Sequence, residues 1–186
     1  MTDGQRSIRI AGTVAVGLGL AALIYVGVVM AQTMAASSAP IAKLDRGQPL
    51  VAGQKLGQLR IERLGLDAAI SEGERASVLK RGVGHLRDTP WIGQGGNVAL
   101  AGHRDTVFRS LRKIQTGDVI EISTAERVVK YRVDKTAVVT PADLWVLEPS
   151  GPSTLTLITC YPFSFFGSAP DRFIVRAREI GQRSIS

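Results

Sequence analysis

Thr154-Leu155-Thr156-Leu157-Ile158-Thr159-Cys160-Tyr161-Pro162 is the stretch that decides the fold class. Polar threonines and aliphatic residues alternate with the period of two that a pleated strand imposes, and the composition is rich in β-branched side chains, which pack well on such a surface. Pro162 ends the strand because it has no N–H to donate to a ladder. The only cysteine of the chain therefore stands at a strand end, where a side chain reaches a cleft.

Outward from this stretch the same pattern recurs in residues 58–62, 67–70, 97–101, 118–123, 127–133, 136–139 and 172–178, separated by Gly, Pro and Asp turn residues. Helical signals are brief. Val107, Phe108, Leu111 and Ile114 share one face of a short helix for which Asp105 supplies the N-cap, and 142–147 forms a turn or two. About eight short strands with small helices predict an all-β fold, a closed or nearly closed barrel that removes exposed sheet edges. A two-sheet sandwich is the structural alternative.

The chain has 186 residues, of which 45% are hydrophobic and 21% charged, the composition of a foldable protein. No charged residue occurs between Arg9 and Lys43, and residues 10–30 are almost entirely apolar. One membrane crossing needs about 20 such residues. The run is longer than the roughly 7–15 apolar residues of a cleaved signal peptide, despite the small residues at 35–39, so an uncleaved anchor is expected. Arg6 and Arg9 before it place the N-terminus inside and the body outside. The expected organisation is a cytoplasmic segment 1–9, a transmembrane helix 10–32, a linker 33–54 rich in Ala, Ser, Gly and Pro, one domain over 55–182 and a tail 183–186. One span and one domain of this size exclude a polytopic transporter and a multidomain enzyme. The net charge of +7 is spread without a long basic block, so no nucleic-acid partner is indicated. A basic domain beside a membrane suits anionic lipid or an acidic wall polymer.

A lone cysteine outside the cell cannot form an internal disulfide, so Cys160 is either an inert core thiol or a reactive one. A nucleophile needs a base or a positive neighbour. His103 follows the apolar run 98–102 at a strand end beside a turn, whereas His85, in Gly82-Val83-Gly84-His85 before Pro90, Gly93, Gly95 and Gly96, reads as a loop residue. Arg172 opens the strand Arg172-Phe173-Ile174-Val175-Arg176, and its fork of donors suits a substrate carbonyl or an oxyanion. No pair among the histidines and cysteine has a short metal-ligand spacing, so no metal site is expected.

Thr-Leu-Ile-Thr-Cys-Tyr-Pro-Phe at 156–163, Ala-Gly-His-Arg-Asp-Thr at 101–106 and Arg-Phe-Ile-Val at 172–175 together resemble the sortases. Gly-Val-Gly-His at 82–85, Gly-Asn-Val at 96–98 and the single N-terminal span are most similar to the class D branch. The resemblance covers roughly 55–180. It implies an eight-stranded sortase-type β-barrel and a membrane-bound cysteine transpeptidase without a cofactor, in which Cys160 is the nucleophile, His103 the acid/base and Arg172 the oxyanion or positioning group. Thr159, His85, Phe163 and Phe165 are the residues expected to bind substrate, the last two within the aromatic loop 163–167. Asp171 departs from the family pattern, in which lysine is common at that place. The implied partners are surface proteins bearing a Leu-Pro-x-Thr-Gly or Leu-Pro-x-Thr-Ala sorting signal, an amine acceptor from a cell-wall precursor or a protein lysine, and the membrane. The implied location is the outer face of a bacterial cell membrane. Other cysteine peptidases or transpeptidases, and a non-catalytic anchored domain that binds wall polymer, are the competing classes.

Overall fold

The computed structural model describes residues 16–28, 30, 31, 41, 50–148, 153–164 and 167–185. The chain divides into two units, Met1–Ala35 and Ala36–Ser186. In the first, residues 16–28 and 30–31 are helical and carry exposed Val16, Leu20, Leu23 and Ile24. Among the described residues no helix is long and apolar enough to cross a membrane. The anchor expected over 10–32 lies partly outside the described residues, as do segment 1–9 and most of the linker.

In the second unit eight strands are described: β1 (Lys55–Ile61), β2 (Leu66–Glu72), β3 (Val83–His85), β4 (Asn97–Ala101), β5 (Val119–Ser123), β6 (Arg127–Val139), β7 (Thr154–Tyr161) and β8 (Asp171–Ser184). They form a closed barrel in the order β1-β2-β3-β4-β7-β8-β6-β5. The pairing Gln58↔Ser123, Leu59↔Ile122 and Arg60↔Glu121 joins β5 to β1, so the sandwich alternative falls. Neighbours are antiparallel except β2 with β3 and β4 with β7, which run parallel. Period-two alternation turns one side chain in two into the barrel: Leu59, Ile70, Leu100, Ile120, Ile122, Val129, Tyr131, Leu155, Leu157 and Val175 are buried there. Burial of this kind supplies the main favourable term for so small a domain.

Four local expectations are corrected. His85 is not in a loop but ends β3, a strand that gives no alternation because all three of its residues are buried. Residues 127–133 and 136–139 are one strand, β6, interrupted in pattern by a bulge between Val133 and Lys135. The extra residue, Asp134, breaks the period and accepts from Arg178 Nε at 2.9 Å. Val107, Phe108, Leu111 and Ile114 do turn one face to the core, but as a turn leading into a 3₁₀ helix, Arg109–Lys113, whose N-cap is Phe108 with no side-chain cap, not Asp105. A second 3₁₀ helix, Leu144–Leu147, stands within 142–147. Finally, β8 runs through Ser184, with Arg183 paired to Val128 and Ser184 to Arg127, so the first two residues of the tail 183–186 belong to the barrel.

The turn into β5 is fastened by charge. Arg63 Nη2 donates to Asp118 Oδ2 at 2.6 Å and to the Lys113 carbonyl at 2.6 Å, and Gln115 N donates to Asp118 Oδ2 at 2.8 Å. The Arg63 hydrogen bond, more than any other cause, holds the Asp118 carboxyl below its usual range. A carboxyl whose folded pKa is depressed contributes stability above its unfolded value, about 3.9, and loses it as pH falls through the folded value. Asp118→Asn is expected to lower stability at neutral pH by about 1 kcal/mol, the pair being half open to solvent on the arginine side, and to flatten the loss of stability below about pH 4. Urea unfolding of both proteins across that range checks this.

Candidate active site

The face that carries the chemistry follows from strand parity. On β4, Val98 and Leu100 point into the core, so Asn97, Ala99 and Ala101 point outward. On β7, Leu155 and Leu157 point inward, so Thr154, Thr156, Ile158 and Cys160 point outward. On β8, Val175 and Ala177 point inward, which turns Arg172, Ile174 and Arg176 outward. These three strands are neighbours in the order β4-β7-β8.

Register then sets the level. Cys160 and Arg172 are direct cross-strand partners. Such partners have Cβ atoms about 4.5–5.5 Å apart on one face. On the other side, β4 and β7 run parallel with Ala101 opposite Ile158. Beyond that pair Gly102 N donates to the Ile158 carbonyl at 3.1 Å, and Thr159 Oγ1 donates to the Gly102 carbonyl at 2.7 Å. Two residues further along each strand stand His103 and Cys160. Histidine, cysteine and arginine thus meet at one end of the outer face, with the thiol in the middle. All three are partly exposed.

Each is held by its surroundings. Gly102, the hinge before His103, has no room for a side chain: a Cβ there would come within 2.7 Å of the Phe108 ring and 2.8 Å of Val107. The chain after His103 folds back, with Phe108 N donating to the His103 carbonyl at 3.0 Å and Arg104 Nη2 to the Gly167 carbonyl at 3.1 Å. Arg104 therefore ties the histidine turn to the connection between β7 and β8. Arg172 Nη1 donates to the carbonyls of Ala169 at 3.2 Å and Asp171 at 2.9 Å, which fixes the plane of its fork beside the cysteine.

Of the residues expected to bind substrate, Thr159, His85 and Phe163 are described. Thr159 points inward and is 2% exposed, its hydroxyl spent on Gly102. His85 is 1% exposed; its Nδ1 lies 2.8 Å from Glu72 Oε2 and its Nε2 3.2 Å from the Pro90 carbonyl, while Trp91 packs edge-on at 5.0 Å. Thr159 and His85 are thus internal braces and not groove contacts. Phe163 packs against Tyr161, Phe173 and the core at the barrel end. Phe165 lies outside the described residues. Among the described residues no three His, Cys, Asp or Glu side chains are grouped to hold a metal ion.

Residues 59–180 match the sortase domain family. The chain belongs to the sortase family. It is 35% identical over 129 residues to sortase D of Bacillus subtilis strain 168, the match covering 69% of this chain and 65% of that protein. A match to sortase SrtE1 of Streptomyces coelicolor, also 35% identical over 129 residues, covers 59% of this chain and 37% of that one. The chain spans less than two thirds of the length of either curated relative. Among solved structures, a Clostridium perfringens sortase D5 transpeptidase is similar with a TM-score of 0.65 and 33% identity, over 72% of this chain and 83% of that one.

Within this sortase domain the two histidines separate by environment. His85→Ala leaves the Glu72 carboxylate buried, with Arg87 Nε at 3.7 Å as its remaining ion-pair partner among the described residues. It is expected to lower unfolding stability by about 2–4 kcal/mol while leaving the Cys160 thiol open to labelling in the folded fraction. His103→Ala is expected to leave stability within about 1 kcal/mol of the parent. The opposite ranking in thermal unfolding would exchange the two roles.

Proposed function

We propose that this sortase is a membrane-anchored cysteine transpeptidase that cleaves a Leu-Pro-x-Thr-Gly or Leu-Pro-x-Thr-Ala sorting signal and passes the protein to an amine of a cell-wall precursor or of another protein. The observation that carries the reading is the register that brings Cys160 and Arg172 level on β7 and β8, with His103 two residues beyond the end of the adjacent β4. The Cys160 thiolate attacks the carbonyl carbon of the signal's threonine and a C–S bond forms. The tetrahedral oxyanion takes hydrogen bonds from the Arg172 fork. Its collapse breaks the C–N bond as His103 protonates the departing amine, leaving a thioester. The incoming amine attacks that thioester, His103 takes up its proton, and the thiolate leaves.

The apolar run 10–32 supports a single-pass anchor with the barrel on the outer face of a bacterial membrane. There, enzyme and membrane-held substrate share one surface, and their effective concentration rises. Phe165 and Phe166, five and six residues after Cys160 in the sequence, suit the apolar part of the signal.

Incubation of the chain with peptides varied after the threonine, together with several amines, tests the reading. Ligated product is expected with the Leu-Pro-x-Thr-Gly or Leu-Pro-x-Thr-Ala peptides and none with Cys160→Ala. Arg172→Lys keeps the charge but loses the fork, and turnover is expected to fall about 10²–10³-fold. Unchanged turnover in that variant removes Arg172 from the oxyanion role.

A further inference from the structure

Asn97 is an amide buried completely at the foot of β4, on the same outer face as the reacting end but outside the apolar core. Its side chain is engaged on both sides. Nδ2 donates to the Val146 carbonyl at 2.8 Å and the Glu148 carbonyl at 3.2 Å, and Oδ1 accepts from Thr156 Oγ1 at 2.7 Å, itself fully buried. Val146 and Glu148 belong to the connection from β6 to β7, 49 and 51 residues away in sequence. That connection leaves β6 at Val139, the partner of Arg172, and enters β7 at Thr154, the partner of Asn97. Its described part, residues 140–148, therefore starts at the level of Cys160 and reaches Asn97 through the carbonyls of Val146 and Glu148. On its way Leu144 and Trp145 stay exposed, and Asp143 Oδ2 accepts from both Thr140 N and Thr140 Oγ1 at 2.7 Å.

We infer that Asn97 is a positioning residue for the reaction: with Thr156 it clamps the β6–β7 connection onto the outer sheet face and so fixes one wall of the groove in which the sorting signal meets Cys160. The inference rests on the transpeptidase reading for its substrate, but the clamp is a property of the fold. An asparagine suits the place because one planar group offers two donors to the connection and an acceptor to β7. Losing the donors leaves two carbonyls without partners and frees the wall, while Cys160, His103 and Arg172 keep their own supports. The effect falls on binding of the signal and not on bond making.

The test uses the full chain with Asn97→Asp, which keeps the acceptor for Thr156 and loses both donors, and with Thr156→Val, which keeps the donors and loses the hydroxyl. In Asn97→Asp, amide exchange over residues 140–148 is expected to quicken about tenfold with β4 and β7 unchanged, and KM for the signal peptide to rise about tenfold with kcat within about threefold. Thr156→Val is expected to move both in the same direction by less, and Cys160 labelling is expected to stay as in the parent. Unchanged exchange over 140–148 in both folded variants overturns the clamp. A fall in kcat at constant KM overturns the positioning role. If the parent cleaves no signal peptide, the transpeptidase reading fails, and exchange alone decides for or against the clamp.

Discussion

The parallel pairing of β4 with β7 is the constraint on which the rest depends. Ala101 faces Ile158, and the ladder is carried one step further by Gly102 N on the Ile158 carbonyl and Thr159 Oγ1 on the Gly102 carbonyl. Those bonds fix how far each strand extends before its chemistry begins, so a histidine two residues past one pair member and a cysteine two residues past the other emerge level. A slip of one residue would turn Cys160 into the core and Thr159 to the surface, since side-chain direction alternates along a strand. The buried Thr159 hydroxyl, donating to the Gly102 carbonyl, opposes such a slip from the inner side.

The barrel supports this pairing from behind. β6 and β7 run parallel with β8 between them, so the chain must cross over from one to the other, and the buried amide of Asn97 holds Val146 and Glu148 of that connection. The other parallel pair, β2 with β3, carries the Glu72 and His85 brace, whose ring also meets the Pro90 carbonyl and Trp91. Buried polar groups in this domain sit at places where a connection must be pinned to a strand. The apolar layer of Leu100, Leu155, Leu157 and Val175 fills the inside, and the closure of β5 on β1 leaves no free sheet edge.

Much of this was legible in the chain itself. Strand identity and the cysteine's place at a strand end follow from alternation in 154–160, whereas the outward direction of Cys160 and Arg172 shows only once the inward Leu155, Leu157, Val175 and Ala177 are known. What was hidden has physical reasons. β3 is buried at every position and shows no period, so His85 was read as a loop residue. The bulge at Asp134 shifts the phase of β6 and split one strand into two, which by accident restored the expected number. Phe108, Leu111 and Ile114 gave the correct face but not the 3₁₀ geometry, because a stretch of five residues supports either spacing. Asn97 entered only as part of Gly-Asn-Val at 96–98, and its clamp was hidden because the partners of its side-chain donors are backbone carbonyls 49 and 51 residues away. Polar residues such as Asn97 and Thr156 at the outward positions of otherwise apolar strands are the pattern that would have found it.

The account stands or falls on a covalent bond to one sulfur. Full-length protein incubated with a Leu-Pro-x-Thr-Gly peptide, quenched in acid, digested and weighed by mass spectrometry tests it most directly. The account predicts that the fragment bearing Cys160 gains the mass of the peptide up to its threonine, with the glycine side released. An intact peptide and an unmodified Cys160 in folded protein whose thiol remains open to labelling would contradict it.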